Sequence, residues 1–171
     1  EIDDSSELIQ HGRYQSSEEV SSQDLLETSD HIIHKYKPDF LLIHVQDIDH
    51  IGHTKGIGEE YNQAIEGLDE LLGIYIKDWL KDYTIVLCAD HGMDMYKTHG
   101  GAICDTIHIP VYIISSHVNK LNNISELKDK EYIHQTEIAP IVLDIMGIKT
   151  FRKYQQQQFN AMDYTPVLKC E

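Results

Sequence analysis

Three short clusters carry side chains suited to metal chemistry: Asp49-His50-Ile51-Gly52-His53, then Asp90-His91-Gly92-Met93, then Thr98-His99-Gly100-Gly101. Carboxylate oxygen and imidazole nitrogen are donors that divalent zinc or manganese accepts together. Asp49 and His53 reach one ion if the turn carrying them is tight, and Gly52 gives that turn freedom to bend. Asp90 and His91 are neighbours, which on a strand point to opposite faces. At a strand end that turns, both swing towards one site. The glycines behind His99 let backbone come close to a metal or phosphate. Together these groups read as ligands of two nearby divalent ions, a pairing that usually serves phosphoryl or related ester chemistry.

The intervening sequence supplies elements to position them. Ser16 to Tyr36 reads as a helix capped by Ser21 or Ser22, with Leu25, Leu26, Ile32 and Ile33 facing the core and Pro38 ending it. Phe40 to Val45 is a nearly continuous apolar run, as in a strand covered on both faces. The first cluster would then lie in the following loop. Glu59 to Asp82 reads as a long amphipathic helix, with Tyr61, Ile65, Leu68, Leu72, Tyr75 and Trp79 on its apolar face. Thr84 to Ala89 is a second buried strand, containing Cys88 as a small core residue and feeding into Asp90 and His91. Ile109 to Ser115 is a third strand, and Thr136 to Met146 a helix with Thr136 as N-cap and Gly147 just past its end. This order indicates an α/β layered sandwich with a mainly parallel sheet flanked by helices. In such sheets functional groups gather beyond the carboxyl ends of the strands.

Composition narrows the partners. Hydrophobic residues make up 41% of the 171, enough for a core. The net charge of -15 argues against nucleic acid as a partner. No run of about 18 apolar residues is present, so no membrane segment is expected in this chain. No signal peptide is visible, and a start at Glu1 rather than Met reads as a processed or excised chain. Residues 1–16 read as a polar tail, and Gln155 to Gln158 as a surface loop or tail.

The joint pattern resembles the alkaline phosphatase superfamily, with likeness to its type I phosphodiesterase/nucleotide pyrophosphatase branch. The resemblance rests on Asp-x-x-Gly-His at Asp49–His53, Asp-His-Gly-Met at Asp90–Met93, and His-Gly-Gly at His99–Gly101. Tyr61, Ile109-Pro110 and the Thr136-Glu137-Ile138-Ala139-Pro140 opening of the late helix extend it from about Pro38 to Gly147. It implies two divalent metal ions, zinc with manganese as the alternative. Asp49, His53 and His99 match the three protein ligands of one ion, and Asp90 and His91 match two ligands of the other. The short gap from His91 to His99 resembles ethanolamine-phosphate transferases and metal-dependent mutases.

The superfamily also uses a strand-borne Asp and a Thr or Ser nucleophile, both well before the Asp-x-x-Gly-His segment. Only residues 1–48 precede Asp49, and Ser5, Ser6, Ser16, Ser17, Ser21 and Ser22 lack a strand-turn-helix setting. Residues 17–171 are therefore expected to be the C-terminal part of an alkaline phosphatase-like catalytic domain, whose missing N-terminal part carries the nucleophile. The resemblance implies a metal-dependent hydrolase acting on small-molecule phosphate esters, phosphodiesterase-like as the full-length protein and inactive as this chain alone. The alternatives are a phosphotransferase or phosphomutase of the same superfamily, or a non-catalytic metal-binding remnant. Among the other polar groups, Asp47 is a substitute ligand if the register differs. His50 reads as a solvated loop residue, His44 as a core histidine, and Asp94 as a solvated turn residue. His31, His34, His117 and His134 show no partner pattern.

Overall fold

A computed structural model describes residues 9–12, 20–101, 103–116 and 133–148. Most of the expected tail over 1–16, the start of the first helix at Ser16, His117 and the glutamine tract lie outside the described residues. The chain divides into two compact units.

Among its described residues the first unit holds three helices, α1 (Ser22–Tyr36), α2 (Asp47–Lys55) and α3 (Glu59–Trp79), together with the segment Met93–His99. Ser21 caps α1: its hydroxyl accepts from the Asp24 amide, and Asp24 returns the bond to the Ser21 backbone. Lys37, at φ 49°, turns the chain out of the helix ahead of Pro38. Leu26, Ile33, Trp79 and Met93 are its buried apolar residues. The Trp79 indole donates to Asp30 Oδ1 at 2.9 Å, which lets a wide apolar ring be buried between α1 and α3 without stranding its N–H. Beside it, His34 Nε2 lies 3.0 Å from Asp78 Oδ2, and its Nδ1 donates to the Asp30 carbonyl. His34 thus has two partners, one of them the residue one helical turn before it.

The second unit holds β1 (Ile85–Cys88), α4 (Cys104–Ile107), β2 (Val111–Ile114), a 3-10 turn (Gln135–Glu137) and α5 (Ile138–Ile145). β1 and β2 pair antiparallel, with Ile85 opposite Ile114 and Cys88 opposite Val111. Gly147, at φ 75°, follows α5 in the left-handed conformation expected of its terminating glycine. Thr136 does not cap α5 but lies inside the 3-10 turn, where Glu137 reaches back to the His134 amide at 2.9 Å.

Helices and strands are both present, so the α/β character holds, while the sheet differs from expectation. Among the described residues it is two-stranded and antiparallel. A parallel pair needs a long crossover, usually a full helix. Among the described residues the helix between β1 and β2 is the single turn Cys104–Ile107. Residues 40–45 form no ladder, and Phe40 and Leu42 are 54% and 77% exposed. An apolar run becomes a two-face-buried strand only when neighbours supply both ladders and covering layers. For the same reason β1 is not fully buried, and Cys88 is exposed rather than a core residue. His44 is exposed as well.

Candidate metal centre

The first cluster lies on helix α2, not on a loop. Asp47 and Asp49 sit in its first turn and His53 and Lys55 in its last, which complements the helix dipole at both ends. Gly56, at φ 84°, closes it. Helical spacing puts Asp49 and His53 on one face, and Asp49 Oδ1 stands 3.5 Å from His53 Nε2. Gly52 between them lies in the helix and gives room to a side chain packed on it rather than a bend. A Cβ there would come within 2.5 Å of Met93 Cε, and Met93 is buried against it.

His99 reaches the same place from the segment that follows Met93. Its ring meets the His53 ring edge-on, with centroids 5.0 Å apart. One ligand atom each from Asp49, His53 and His99 lies within 4.8 Å of the others. Donors of a single tetrahedral zinc stand about 3.3 Å apart, so the set needs only a small contraction to hold one. The donor chemistry fits too. His53 Nδ1 lies 2.9 Å from the Lys97 carbonyl, which can only accept, so Nδ1 donates there and Nε2, the nitrogen beside Asp49, is the one available to a metal.

Asp94 shapes the segment that delivers His99. It is 5% exposed, a buried residue rather than a solvated turn. Its Oδ1 accepts from the amides of Tyr96 and Thr98 at 2.9 and 2.8 Å, and its Oδ2 from the Thr98 hydroxyl at 2.8 Å. These bonds, the Thr98 amide first, hold the Asp94 carboxyl below its usual 3.8 despite the opposing effect of burial. Tyr61 on α3 feels the cluster: burial first, and the Asp49 charge second, push its hydroxyl above 10.0.

Asp47 is engaged elsewhere, at the start of α1. Its Oδ2 accepts from the Ser22 amide and hydroxyl, so it satisfies an otherwise orphaned amide at the start of α1. His50 is exposed, as expected.

In the second unit, Asp90 and His91 follow β1 as the sequence suggests. His91 Nε2 stands 3.6 Å from Asp90 Oδ2, and His91 Nδ1 lies 3.1 Å from the Gly92 carbonyl. The turn therefore does bring adjacent side chains together. Gly92 is glycine for a local reason: a Cβ there would run into the Asp105 carbonyl, while its amide donates to the Thr106 carbonyl at 3.0 Å. Gln135 braces the turn by donating to the Asp90 carbonyl. Sequence reasoning passed over Lys97 and Gln135, and named Thr98 only as the start of the His99 cluster, without its bonds to Asp94.

Residues 7–150 match the Metalloenzyme superfamily. The chain belongs to this alkaline phosphatase-like superfamily. Two kinds of relative are similar to this metalloenzyme chain. One is the catalytic subunit of GPI ethanolamine phosphate transferase 2 from Homo sapiens, 26% identical over 118 residues, covering 64% of this chain and 12% of that protein. Its Schizosaccharomyces pombe counterpart is 28% identical over 129 residues, covering 64% of this chain and 17% of that protein. The other kind is 2,3-bisphosphoglycerate-independent phosphoglycerate mutase from Acetivibrio thermocellus, 29% identical over 142 residues, covering 80% of this chain and 26% of that protein. The metalloenzyme chain thus spans between 12% and 26% of the length of these three relatives. No solved structure matches it significantly. Among the described residues no helix is long and apolar enough to cross a membrane.

Proposed function

We propose that this metalloenzyme chain contributes the metal-binding part of a site that transfers a phosphoryl-type group of a small phosphate ester, in the manner of a phosphotransferase or phosphomutase. The observation that carries the reading is the convergence of Asp49, His53 and His99 within 4.8 Å. The names of the relatives, a transferase and a mutase, favour group transfer over the hydrolysis implied by the phosphodiesterase resemblance. Hydrolysis of a phosphodiester stands as the second reading, supported by the Asp-His-Gly-Met motif at Asp90–Met93.

In this proposal Asp49, His53 and His99 hold one divalent ion, zinc or manganese, and Asp90 and His91 supply two ligands to another. Such ions, when bound, lower the pKa of an attacking hydroxyl and offset charge on the transferring group. The residues set the electrostatics. Asp49 brings one negative charge and the two imidazoles bring none, so a divalent cation held there keeps net positive charge for an anionic ester. The nucleophile is proposed to come from outside residues 1–171, with residues 17–171 as the C-terminal part of the catalytic domain. Residues 40–45 are proposed as one strand of a mainly parallel sheet, supported by their apolar continuity and by the exposure of Phe40 and Leu42.

The test is a zinc and manganese titration of the purified chain, followed by product analysis for the full gene product on a chromogenic phosphodiester with and without an alcohol acceptor. Acceptor-dependent transfer product supports the proposal. Release of free phosphate or phosphomonoester alone, unaffected by acceptor, favours hydrolysis. Absence of metal binding overturns both readings.

A further inference from the structure

We propose that Lys97, held in a left-handed turn by the buried carboxylate of Asp94, is a positioning residue of the metal centre, and that its backbone carbonyl sets the donor tautomer of His53. The inference rests on the metal reading above and adds to it the device that makes His53 a competent ligand.

The turn is built for one purpose that α2 alone cannot serve. On α2, the Asp49 carboxylate beside His53 Nε2 is itself an acceptor, and alone it would favour a proton on that nitrogen rather than a free lone pair. Lys97 supplies the missing acceptor, with its carbonyl 2.9 Å from Nδ1. The carbonyl is aimed there because Lys97 adopts φ 65°, a conformation lysine rarely takes unaided. Asp94 enforces it: three bonds from Tyr96 and Thr98 to its carboxylate close the loop around Lys97, with Thr98 returning its carbonyl to the Asp94 amide at 2.8 Å. The Lys97 ammonium donates to the Thr54 carbonyl at 2.9 Å, and Met93 packs on Gly52. The segment is therefore pinned to α2 on both sides of His53. The same turn ends at His99, so one loop both orients one ligand and delivers another.

Backbone geometry can be separated from the lysine head group by two substitutions. Lys97→Gly tolerates the positive φ and keeps the carbonyl, whereas Lys97→Val disfavours it and moves the carbonyl. Asp94→Asn keeps the oxygen that takes both amides, whereas Asp94→Ala removes every acceptor. Nitrogen-15 shifts of the His53 ring in the metal-free full chain read the tautomer, and calorimetric titration with zinc reads the affinity. In the wild type and in Lys97→Gly, His53 is expected as the Nδ1–H tautomer, with Lys97→Gly, which gives up only the bond to Thr54, losing clearly less zinc affinity than Lys97→Val. In Lys97→Val and Asp94→Ala the tautomers are expected to mix and zinc affinity to fall about 10- to 100-fold, with Asp94→Asn recovering most of the loss. Equal losses in Lys97→Gly and Lys97→Val would place the effect in the ammonium and overturn the inference. Mixed tautomers with wild-type zinc affinity would overturn it too, leaving the metal reading intact. No zinc binding by the wild-type chain, whatever the tautomer, removes the metal reading and this inference with it.

Discussion

His53 Nε2 stands 3.5 Å from Asp49 Oδ1 across one turn of α2, while the other face of the same ring is tied to the Lys97 carbonyl. A helix thus supplies two of the proposed ligands at a fixed separation, and a loop supplies the third. Removing one ligand should cost more than removing a supporting contact. His53→Ala and Asp49→Ala are each expected to weaken zinc binding at least about 100-fold. Titration calorimetry of the purified chain checks this, and a wild-type-like isotherm for either variant refutes the assignment.

Asp90 and His91 are proposed to supply two ligands, whereas a stable site normally wants about four. The chain alone should therefore show at most one tight zinc site, and Asp90→Ala should leave it unchanged. A second tight site in the wild-type isotherm would mean that further ligands exist. By the same reasoning, the chain alone should hydrolyse neither phosphomonoesters nor phosphodiesters above background. Robust metal-dependent turnover, lost in His53→Ala, would contradict this.

The α1–α3 contact carries a pH signature. The Asp30 carbonyl first, then the Asp78 carboxylate, raise the pKa of His34 above 6.5. A raised folded-state value means that protonated His34 favours the folded chain. Its contribution should be fully present below pH 6.5 and fade as pH rises through the higher folded value. His34→Gln should flatten that part of the curve of denaturation midpoint against pH. An unchanged slope would show that the contact has no thermodynamic weight.

Trp79 is 5% exposed and its indole N–H is committed to Asp30. Trp79→Phe should cost about 1–2 kcal/mol through the lost bond. Trp79→Ala should cost about 3–5 kcal/mol because it also leaves a cavity. Urea denaturation of the two variants separates polar from packing contributions, and equal losses would contradict the division.

Gly92 belongs to the Asp90-His91-Gly92-Met93 motif, yet its requirement is steric. A Cβ would overlap the Asp105 carbonyl, which is backbone and cannot rotate away. Gly92→Ala should destabilise by about 2–3 kcal/mol even in metal-free protein. A metal-dependent loss alone would show instead that the glycine serves the site.

The amino-acid sequence alone determined which residues could donate to a metal. Ligand types are a property of side chains, and Asp49, His53 and His99 were legible as donors before any fold was known. Local capping was legible too, because Ser21 and Gly147 act on backbone groups within a few residues of themselves. Tertiary structure decided the rest. The helical state of residues 47–55 was hidden because a turn and a helix both bring Asp49 and His53 together, and Gly52 suggested the turn. Its packing under Met93 depends on a residue far along the chain. Asp47 and Asp94 looked like exposed acids because their partners, Ser22 and the Tyr96 and Thr98 amides, are chosen by packing and loop closure. The apolar run over 40–45 signals burial but not its neighbours, since pairing is a relation between distant segments. The same holds for His53, whose proton is placed by the Lys97 carbonyl, a backbone group that no side-chain pattern records.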